Sequence, residues 1–234
     1  MTQDIFNAIQ RCADTEALRD TLMAYFGEQG FDRIGFAAPS RSAPGALTIV
    51  ERGYPTEMVN RYSENRLHRY DPSLNQALSG GRPLVWRDVL HQSGLSEDER
   101  AVMGELLDSE ATDGIAIPTF GRSNSAGIVN LSSSNAAEVV AAADLPRLQA
   151  VAQQAHLRLD KLLYDSDPAP ELSPRERQIL FWIAQHKSNT DIGTILAISP
   201  TTIATHVKRA FEKLDTNDRM SAVNRAIESG QIWV

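Results

Sequence analysis

The sequence has one cysteine, no signal-like start and no long apolar run, and each absence excludes a class of protein. Cys12 has no second cysteine with which to form an internal disulfide, which fits a reducing compartment. The start, Met1 to Asp4, is acidic and lacks the apolar core of a signal peptide. No stretch of about 18 uninterrupted apolar residues is present to span a membrane. These features predict a cytoplasmic protein with no membrane partner.

The composition is that of a globular protein with an acidic balance. The chain has 234 residues, of which 42% are hydrophobic and 23% are charged, enough for one large domain or two modest ones. The formal net charge is −7 and the pI is about 5.3. Taken over the whole chain, this balance opposes nucleic acid as a partner, because a binder must neutralise phosphates.

A break near residue 165 changes that interpretation. Residues 164–170 hold two prolines, two aspartates and a serine, so they neither continue a helix nor offer apolar area to bury. We predict a first domain over 1–164, a linker over 165–171 and a second domain over 172–234. From 171 onward eight basic and seven acidic residues give +1, which leaves −8 for residues 1–170. The acidity therefore belongs to the larger domain.

The first domain has the pattern of an α+β fold. Apolar spacing predicts helices over 17–26, 96–108 and 144–164 and a short helix after Pro55. Ser96 with Glu99 three residues later is the capping-box pattern of a helix start. Alternation predicts strands over 31–38, 46–51, 114–118 and 127–131, with a turn-rich stretch over 39–45. Strands bracketed by helices predict a sheet that helices cover on both faces.

The second domain is predicted to be a string of capped helices. Ser173 with Pro174 and Glu176, then Ser188 with Asp191, then Ser199 with Pro200, and finally Asp218 each mark a helix start. Gly230 is placed to end the last helix. Only residues 197–199 join the second helix to the third. Two short helices joined by so tight a turn within a four-helix unit predict a helix-turn-helix, whose second helix enters the major groove of DNA.

The third of these helices carries the side chains that such a contact needs. Ile203, Val207 and Leu214 mark its apolar face. Hydroxyl and basic side chains occupy the other faces and suit contacts to phosphates and base edges. They are Thr201, Thr202, Thr205, His206, Lys208, Arg209 and Lys213. We favour Thr205 and Lys208 for base contact and the others for phosphate. The alternative is a solvated helix in a generic helical domain.

The residues of the second domain resemble a known family. The run 172–232, LSPRERQILFWIAQHKSNTDIGTILAISPTTIATHVKRAFEKLDTNDRMSAVNRAIESGQI, is similar to the DNA-binding domain of LuxR-type transcription regulators. The resemblance adds Lys187, in the Lys-Ser-Asn that precedes the second helix, to the candidate DNA contacts. The sequence departs from the family at His186, where glycine usually ends the first helix. Histidine enters a left-handed conformation only at a cost, so we expect a strained or reshaped turn there.

The first domain resembles the autoinducer-binding domain of quorum-sensing LuxR regulators. The stretch 53–89, GYPTEMVNRYSENRLHRYDPSLNQALSGGRPLVWRDV, places Tyr62, Asp71-Pro72 and Trp86 at the family's intervals, and Gly114 matches a family glycine. The resemblance implies an α-β-α sandwich around an antiparallel sheet. Response regulators share the second domain, but the first lacks the strand-helix alternation of a receiver domain.

The resemblance also implies how a ligand is held. An acyl-homoserine lactone has one amide N–H and two carbonyls. Asp71 would accept from the amide, Tyr62 would donate to the acyl carbonyl, and Trp86 would give the lactone ring a flat wall. Asn130 matches a position that often carries a small hydroxyl residue near the acyl carbonyl. Taken singly, Asp71-Pro72 is also typical of a turn and Trp86 of a plain core.

The departure with the largest expected effect on the ligand is Met58. The family usually has tryptophan there, whose indole N–H donates to the lactone carbonyl, and methionine has no donor. Three alternatives remain: another group or a water reaches the lactone, the ligand lacks that carbonyl, or Met58 merely fills space in an unchanged pocket.

Together these features predict a ligand-responsive transcription regulator without a metal or cofactor. The resemblance implies a homodimer that binds a palindromic promoter site in double-stranded DNA, and contact with RNA polymerase. One alternative is a regulator that is ligand-independent or responds to a non-lactone signal. The other is an enzyme that acts on the ligand. Against it, the sequence has no Gly-x-Ser-x-Gly or paired metal-ligand motif. Its five histidines are scattered and mostly predicted at the surface.

Overall fold

The computed structural model describes residues 2–39, 47–108, 113–121, 126–164 and 170–234. The described residues form two compact units, one up to residue 163 and one from residue 164 onward. The predicted turn after Pro39 and most of the predicted linker lie outside the described residues. Within the described ranges, every helix is too short or too polar to cross a membrane.

The first unit contains eight helices and five strands among its described residues. In chain order they are α1 (Thr2–Arg11), α2 (Thr15–Glu28), β1 (Arg33–Pro39), β2 (Leu47–Arg52), α3 (Thr56–Glu64), α4 (Pro72–Gly80), β3 (Leu84–Val85), α5 (Trp86–Leu90), α6 (Glu97–Asp108), β4 (Asp113–Phe120), β5 (Ala126–Ser133), α7 (Ala136–Ala141) and α8 (Leu145–Tyr164). A single 3-10 turn, Leu67–Arg69, separates α3 from α4. The second unit consists of α9 (Pro174–Ala184), α10 (Asn189–Leu196), α11 (Pro200–Lys213) and α12 (Arg219–Glu228).

The strands form one antiparallel sheet in the order β2-β1-β5-β4-β3. On one face, Ile34, Ile117 and Leu131 pack against α1, α2 and α8. On the other face, Ala37, Ala116 and Ile128 pack against α4, α5 and α6. The α+β class and the helix-sheet-helix layers are therefore confirmed.

Side-chain caps mark the starts of α6, which was predicted, and of α4, which was not. Ser96 and Glu99 form the predicted reciprocal cap: the backbone N–H of Glu99 donates to Ser96 Oγ at 3.2 Å, and that of Ser96 to Glu99 Oε2 at 2.7 Å. No helix after Asp71 is predicted from the sequence. Asp71 is in fact the N-cap of α4, and Pro72 is its first residue. Aspartate followed by proline is a helix-start signal as well as a turn signal.

His156 departs from the expectation that the histidines are mostly at the surface. It lies on α8 and is completely buried, with Nδ1 2.8 Å from Thr119 Oγ1 and Nε2 3.5 Å from Asp160. Its ring packs edge-on against Phe36, with centroids 5.0 Å apart. The ring therefore belongs to the interior of the sheet face that α8 covers.

Every helix of the second unit starts at a side-chain cap. Ser173 and Ser188 form capping boxes with Glu176 and Asp191, while Ser199 and Asp218 accept from backbone N–H groups in the first turn. Gly230 follows the last helix in a left-handed conformation, with φ of 68°. The predicted four helices and their order are confirmed.

Candidate functional site

A small cavity lies over one face of the sheet in the first unit. Its volume is about 60 Å³. The lining residues come from β1, β2, β5, α3, α5, α6 and the segment before α3: Gly35, Phe36, Ala37, Ile49, Glu51, Tyr54, Met58, Val59, Tyr62, Trp86, Leu106 and Asn130. Ligand sites usually have volumes of about 300–1,000 Å³. An amphiphile with an acyl chain therefore has to move lining side chains to enter.

Tyr62 lines the cavity and forms a polar pair with Asp71, which is buried but is not itself a lining residue. The Tyr62 hydroxyl donates to Asp71 Oδ2 at 2.7 Å. Burial, followed by the neighbouring Asp71 carboxylate, raises the pKa of the Tyr62 phenol well above its ordinary value. The phenol is therefore a neutral donor at any physiological pH, as the interpretation of Tyr62 requires.

Asp71 also has a structural role, because it caps the first turn of α4. Its Oδ1 accepts from the backbone N–H groups of Ser73, at 2.9 Å, and Leu74, at 3.2 Å, and from Ser73 Oγ at 2.6 Å. These three donors fix Oδ1, while Oδ2 contacts Tyr62. Oδ1 therefore caps α4, whereas Oδ2 accepts only from Tyr62 and can exchange that donor for another.

Trp86 is fixed against a glycine on the sheet. Its side chain is 1% exposed, and a Cβ added to Gly114 would lie 2.6 Å from Trp86 Cε3. A side chain on Gly114 would therefore push the indole out of its place. Asp113 holds the segment from the other side, because its Oδ1 accepts from the backbone N–H of Arg87 at 3.1 Å. Gly114 supports Trp86 in the cavity wall and is not a lining residue itself.

Four polar atoms of the lining residues are buried without a hydrogen-bond partner among the described residues. They are Glu51 Oε2, the Tyr54 hydroxyl, Trp86 Nε1 and Asn130 Oδ1. Burial raises the pKa of the Tyr54 phenol above its ordinary range, and nearby Ser132 and Arg33 oppose that shift. Buried polar groups normally find partners, so these atoms mark a place where a ligand or water is expected.

Glu51 and Tyr54 line the cavity but were not predicted to do so. Residues 46–51 are predicted as a strand, and a strand prediction alone does not identify the side chains that face inward. Glu51 pairs with Gly35, and Ile49 pairs with Ala37, so alternate residues of β2 face the cavity. This alternation is the signal that identifies Glu51. Met58 and Asn130 both line the cavity, as the resemblance implied.

In the second unit, α11 presents two adjacent exposed stripes. Thr201, Thr205 and Lys208 recur at helical spacing on one stripe, while Thr202, His206 and Arg209 recur on the next. All of them are exposed except His206, which is half-buried. The opposite face, with Ile203, Val207 and Ala210, is buried. Lys187 is also exposed, just before the Ser188 cap of α10.

Lys213 has a different use from the one predicted. Its Nζ donates to Glu176 Oε2 at 2.9 Å and to the carbonyl of Glu171 at 3.0 Å. The Glu176 side chain is only 4% exposed. An ammonium held by a buried carboxylate is not available to a phosphate, so we correct the assignment of Lys213 as a DNA contact.

Two backbone features shape the helix-turn-helix. Gly193, which the sequence analysis did not single out, lies under the turn, where an added Cβ would be 2.7 Å from the Ile198 carbonyl oxygen. The backbone N–H of Ile198 donates to the Gly193 carbonyl at 3.0 Å. His186 keeps the turn that glycine usually makes, with φ of 58°. The expectation of a retained but strained turn fits this conformation.

The first unit has a cavity over its sheet and the second has a capped helix-turn-helix, a combination typical of a ligand-binding transcription regulator. Residues 14–159 match the family model for the autoinducer-binding domain, and residues 170–226 match the model for bacterial regulatory proteins of the luxR family. The chain belongs to the LuxR family of quorum-sensing transcription regulators. This family consists of transcription regulators, not enzymes.

Two curated relatives and one solved structure illustrate the similarity. The HTH-type transcriptional regulator y4qH of Sinorhizobium fredii is 30% identical over 228 residues, 94% of this chain and 69% of the relative. The quorum sensing-dependent regulator RpaR of Rhodopseudomonas palustris is 29% identical over 217 residues, 91% of this chain and 86% of the relative. The crystal structure of Escherichia coli SdiA aligns with a TM-score of 0.77 at 20% identity, covering 100% and 98% of the two chains, which shows a shared fold.

Proposed function

We propose that this regulator binds an acyl-homoserine lactone or a related small amphiphile and, as a homodimer, a palindromic promoter site. The observation that carries the ligand proposal is the Tyr62–Asp71 hydrogen bond, 2.7 Å long, beside the Trp86 wall. Without a ligand, the two side chains are hydrogen-bonded to each other. They are also complementary to an acylated amide, because one can donate and the other can accept.

Ligand binding would exchange partners at this pair. Tyr62 would turn its proton from Asp71 to the acyl carbonyl, and Asp71 Oδ2 would then accept the amide N–H. Oδ1 would keep its three donors at the start of α4, so the helix would stay in place. Neither Tyr62 nor Asp71 Oδ2 is left unpaired by the exchange, and this avoids a cost of about 1–3 kcal/mol for each group.

The dimer proposal rests on the long last helix of the first unit. Ala150 and Leu157 are exposed on α8 seven residues apart, so they lie on the same side of the helix. Leu157 is 38% exposed although it is apolar. A symmetric dimer would present two copies of α11 about one turn of DNA apart, which is the geometry that a palindromic site requires.

The DNA proposal divides the two stripes of α11 by role. Thr205 and Lys208 would contact base edges. Thr201, Thr202, His206, Arg209 and Lys187 would contact phosphates. Lys208 is available for this, because its side chain is 81% exposed and its nearest carboxylate, on Glu212, is 3.9 Å away. Lys208→Ala should weaken binding to the specific site more than binding to random DNA, and equal losses on both would remove the base-contact role.

A thermal-shift series over lactones of several chain lengths tests the ligand. Binding stabilises the folded state by RT ln(1+[L]/Kd), so the wild-type melting temperature should rise with ligand concentration. Asp71→Asn keeps an oxygen for the cap but replaces the acceptor near Tyr62, and the shift should fall sharply. Asp14→Asn changes the same chemistry at the exposed cap of α2 and should leave the shift intact. No shift with any lactone would contradict the lactone proposal.

Met58 favours a second form of the proposal, in which the signal is not a lactone. The side chain lines the cavity and offers no donor to a lactone carbonyl. Methionine adapts readily to different apolar shapes, so the wall at this point would accept another head group. A DNA shift assay on protein purified without added lactone separates a ligand-independent regulator from both ligand-dependent forms. Contact with RNA polymerase stays a prediction.

A further inference from the structure

One stretch of the first unit covers the cavity without burying any residue of its own. Residues 53–70, here called the covering segment, are all exposed or half-buried, whereas residues 71–73 directly after them are buried. The covering segment contains α3 and the 3-10 turn that follows it. Met58, Val59 and Tyr62 of α3 line the cavity, and the remaining residues of that helix are exposed. The segment therefore lies between the cavity and solvent.

The other walls of the cavity are held more firmly than the covering segment. Trp86 and Leu106 are buried, with 1% and 6% of their surface exposed. The sheet forms the floor, and β2 at its edge pairs with β1 along its whole length. Since the cavity is too small for an acylated ligand, some part of its wall has to move on binding. The covering segment is the part whose displacement loses the least buried surface.

Left-handed residues bound α3 on both sides. Gly53, directly after β2, has φ of 87°, and Arg66, before the 3-10 turn, has φ of 51°. A Cβ added to Gly53 would meet the carbonyl oxygen of Asp32, so this turn requires glycine. The N-cap residue of α3 is Pro55, which has no side-chain hydrogen bond to the first turn, whereas Asp71 caps α4. The start of α3 is therefore less firmly fixed than the start of α4.

Two polar side-chain contacts join α3 to neighbouring elements in the described part of the chain. One is the Tyr62–Asp71 hydrogen bond, which ligand binding would exchange. The other is an ion pair between Arg61 Nε and Glu105 Oε1 on α6, 2.5 Å apart. Glu105 Oε1 has no well-directed hydrogen bond, and the two side chains are 51% and 27% exposed. Because a partly exposed ion pair is weak, this contact can hold α3 in place and still release it.

We propose that the covering segment is a gate that pivots at Gly53 and Arg66 and that the Arg61–Glu105 ion pair holds it shut. This inference rests on the proposed function, because a gate has a role only if a ligand enters the cavity. Opening would carry the three cavity-facing side chains of α3 outward and leave β2, α4 and α6 in place. The ion pair is intact in the closed form with and without ligand. It therefore controls how fast a ligand enters and leaves, and has little effect on how tightly the ligand binds.

Hydrogen exchange on the ligand-free full chain tests the gate without any ligand. The hydrogen-bonded amides of α3 should exchange about tenfold faster than those of α4 and α6, because local opening precedes global unfolding. In Glu105→Gln, exchange in α3 should rise by about a further threefold, as expected for a partly exposed pair, and α4 should keep its protection. Glu16→Gln is the matched control, because it breaks a 3.1 Å ion pair with Arg19 inside α2. Protection of α3 equal to that of α4 and α6 would overturn the proposal.

Stopped-flow fluorescence with N-dodecanoyl-homoserine lactone tests the effect on the ligand, because Trp86 lines the cavity and reports its filling. In Glu105→Gln, entry and release should both be about threefold faster, and Kd should stay within about twofold of the wild type. The double variant Arg61→Glu with Glu105→Arg restores an ion pair of reversed sense and should return both rates toward the wild-type values. Since salt screens exposed charges, added NaCl should speed exchange in the wild type but not in Glu105→Gln.

The outcomes separate the gate from the ligand proposal. Weaker binding in Glu105→Gln at an unchanged rate of entry would show that the pair shapes the cavity, and it would overturn the gate alone. Loosening of α4 and α8 as much as of α3 in that variant would make the pair a general support of the fold, with the same consequence. If no lactone binds, the lactone form of the proposed function fails, and hydrogen exchange in α3 alone decides whether the covering segment opens.

Discussion

The helices of the second unit start at side-chain caps, and arginines hold carbonyls at or just beyond the ends of α9, α10 and α11, whereas the cavity wall of the first unit leaves polar atoms without partners. Arg175 donates to the carbonyl of Leu196 at 3.2 Å, and Arg219 and Arg225 donate to those of Lys187 and Leu214, both at 2.5 Å. In the first unit, Glu51, Tyr54, Trp86 and Asn130 keep buried groups unused. From this contrast we expect ligand binding to change the stability of the first unit more than that of the second.

This difference has an energetic consequence. Each unpaired buried polar atom costs about 1–3 kcal/mol, while a whole domain is stable by only about 5–15 kcal/mol. A ligand that satisfies several of these atoms can therefore change the stability of the first unit substantially. In the second unit the one side-chain atom of this kind among the described residues is His206 Nδ1, and the affinity of that unit for DNA is expected to depend on the geometry of α10 and α11.

The largest expected effect comes from breaking that geometry with Gly193→Ala. The new Cβ would lie 2.7 Å from the Ile198 carbonyl oxygen, and a backbone atom cannot move aside without opening the turn between α10 and α11. We expect a loss of about 3 kcal/mol in the free energy of unfolding and at least a tenfold loss in DNA affinity. Thermal unfolding and a DNA shift assay measure the two effects.

Gly104→Ala is the matched control for that substitution. Gly104 lies inside α6, and nothing is within 4 Å of its added Cβ. Alanine should be neutral or stabilise the helix by about 0.5–1 kcal/mol. If Gly193→Ala bound DNA as the wild type does, the glycine would not be what sets the turn.

Gly114→Ala makes the corresponding change under the cavity. Its Cβ would lie 2.6–2.8 Å from three atoms of the buried Trp86 ring, which cannot swing into solvent without leaving the cavity wall. We expect about 2 kcal/mol of destabilisation and loss of the ligand-dependent thermal shift. Hydrogen exchange should show reduced amide protection in β4 and α5, while amide protection in α9–α12 stays unchanged. Loosening of both units alike would contradict the contrast between them.

Glu176→Gln tests the pH dependence of the second unit. Burial raises the pKa of the Glu176 carboxyl, but hydrogen bonds from Lys213 and Ser173 outweigh it, so the pKa lies below its ordinary value of 4.5. Because the folded pKa is below the unfolded one, the carboxylate stabilises the fold above about pH 4.5 and loses that effect as the pH falls through the folded pKa. The wild-type unit should therefore become less stable in acid.

The variant should be less stable at neutral pH by about 2 kcal/mol and should vary less with pH between 5 and 3. Urea unfolding at several pH values measures both quantities. Glu171→Gln is the control, because that side chain is 82% exposed and its pair with Arg177 is 3.6 Å long at the surface. Parallel pH curves for wild type and Glu176→Gln would remove Glu176 as the source of acid sensitivity.

Local chemistry explains which parts of this structure could be predicted from the sequence. The starts of α6 and of α9–α12 follow from a hydroxyl or carboxylate next to the first turn, which depends only on neighbouring residues. The same rule would have found α4 at Asp71-Pro72. The short β3 and α5 were not predicted, because a segment of five or fewer residues is too short to show a hydrophobic period. Their positions depend on pairing with β4 and on the Asp113 cap, both distant in sequence.

The same distinction applies to the candidate site. Tyr62, Asp71 and Trp86 were predicted because they fall at the intervals of a known family. Lys213 was assigned to DNA from its position on α11, but its partner Glu176 lies 37 residues away, and no pattern on the helix reveals that pair. Glu51 was missed for a similar reason, since its place beside Asn130 requires the order of strands β2, β1 and β5.

The smallest expected effect concerns strain in the otherwise self-sufficient second unit. His186 and Asp215 end α9 and α11 with φ of 58° and 48°, a conformation that glycine adopts without cost. His186→Gly should stabilise the unit by about 1 kcal/mol, because the left-handed conformation costs a residue with a Cβ about that much. Gln185→Gly, one residue earlier at φ of −86°, relieves nothing and should be neutral or destabilising. If both variants were destabilised equally by urea, contacts of the His186 side chain would outweigh its backbone strain.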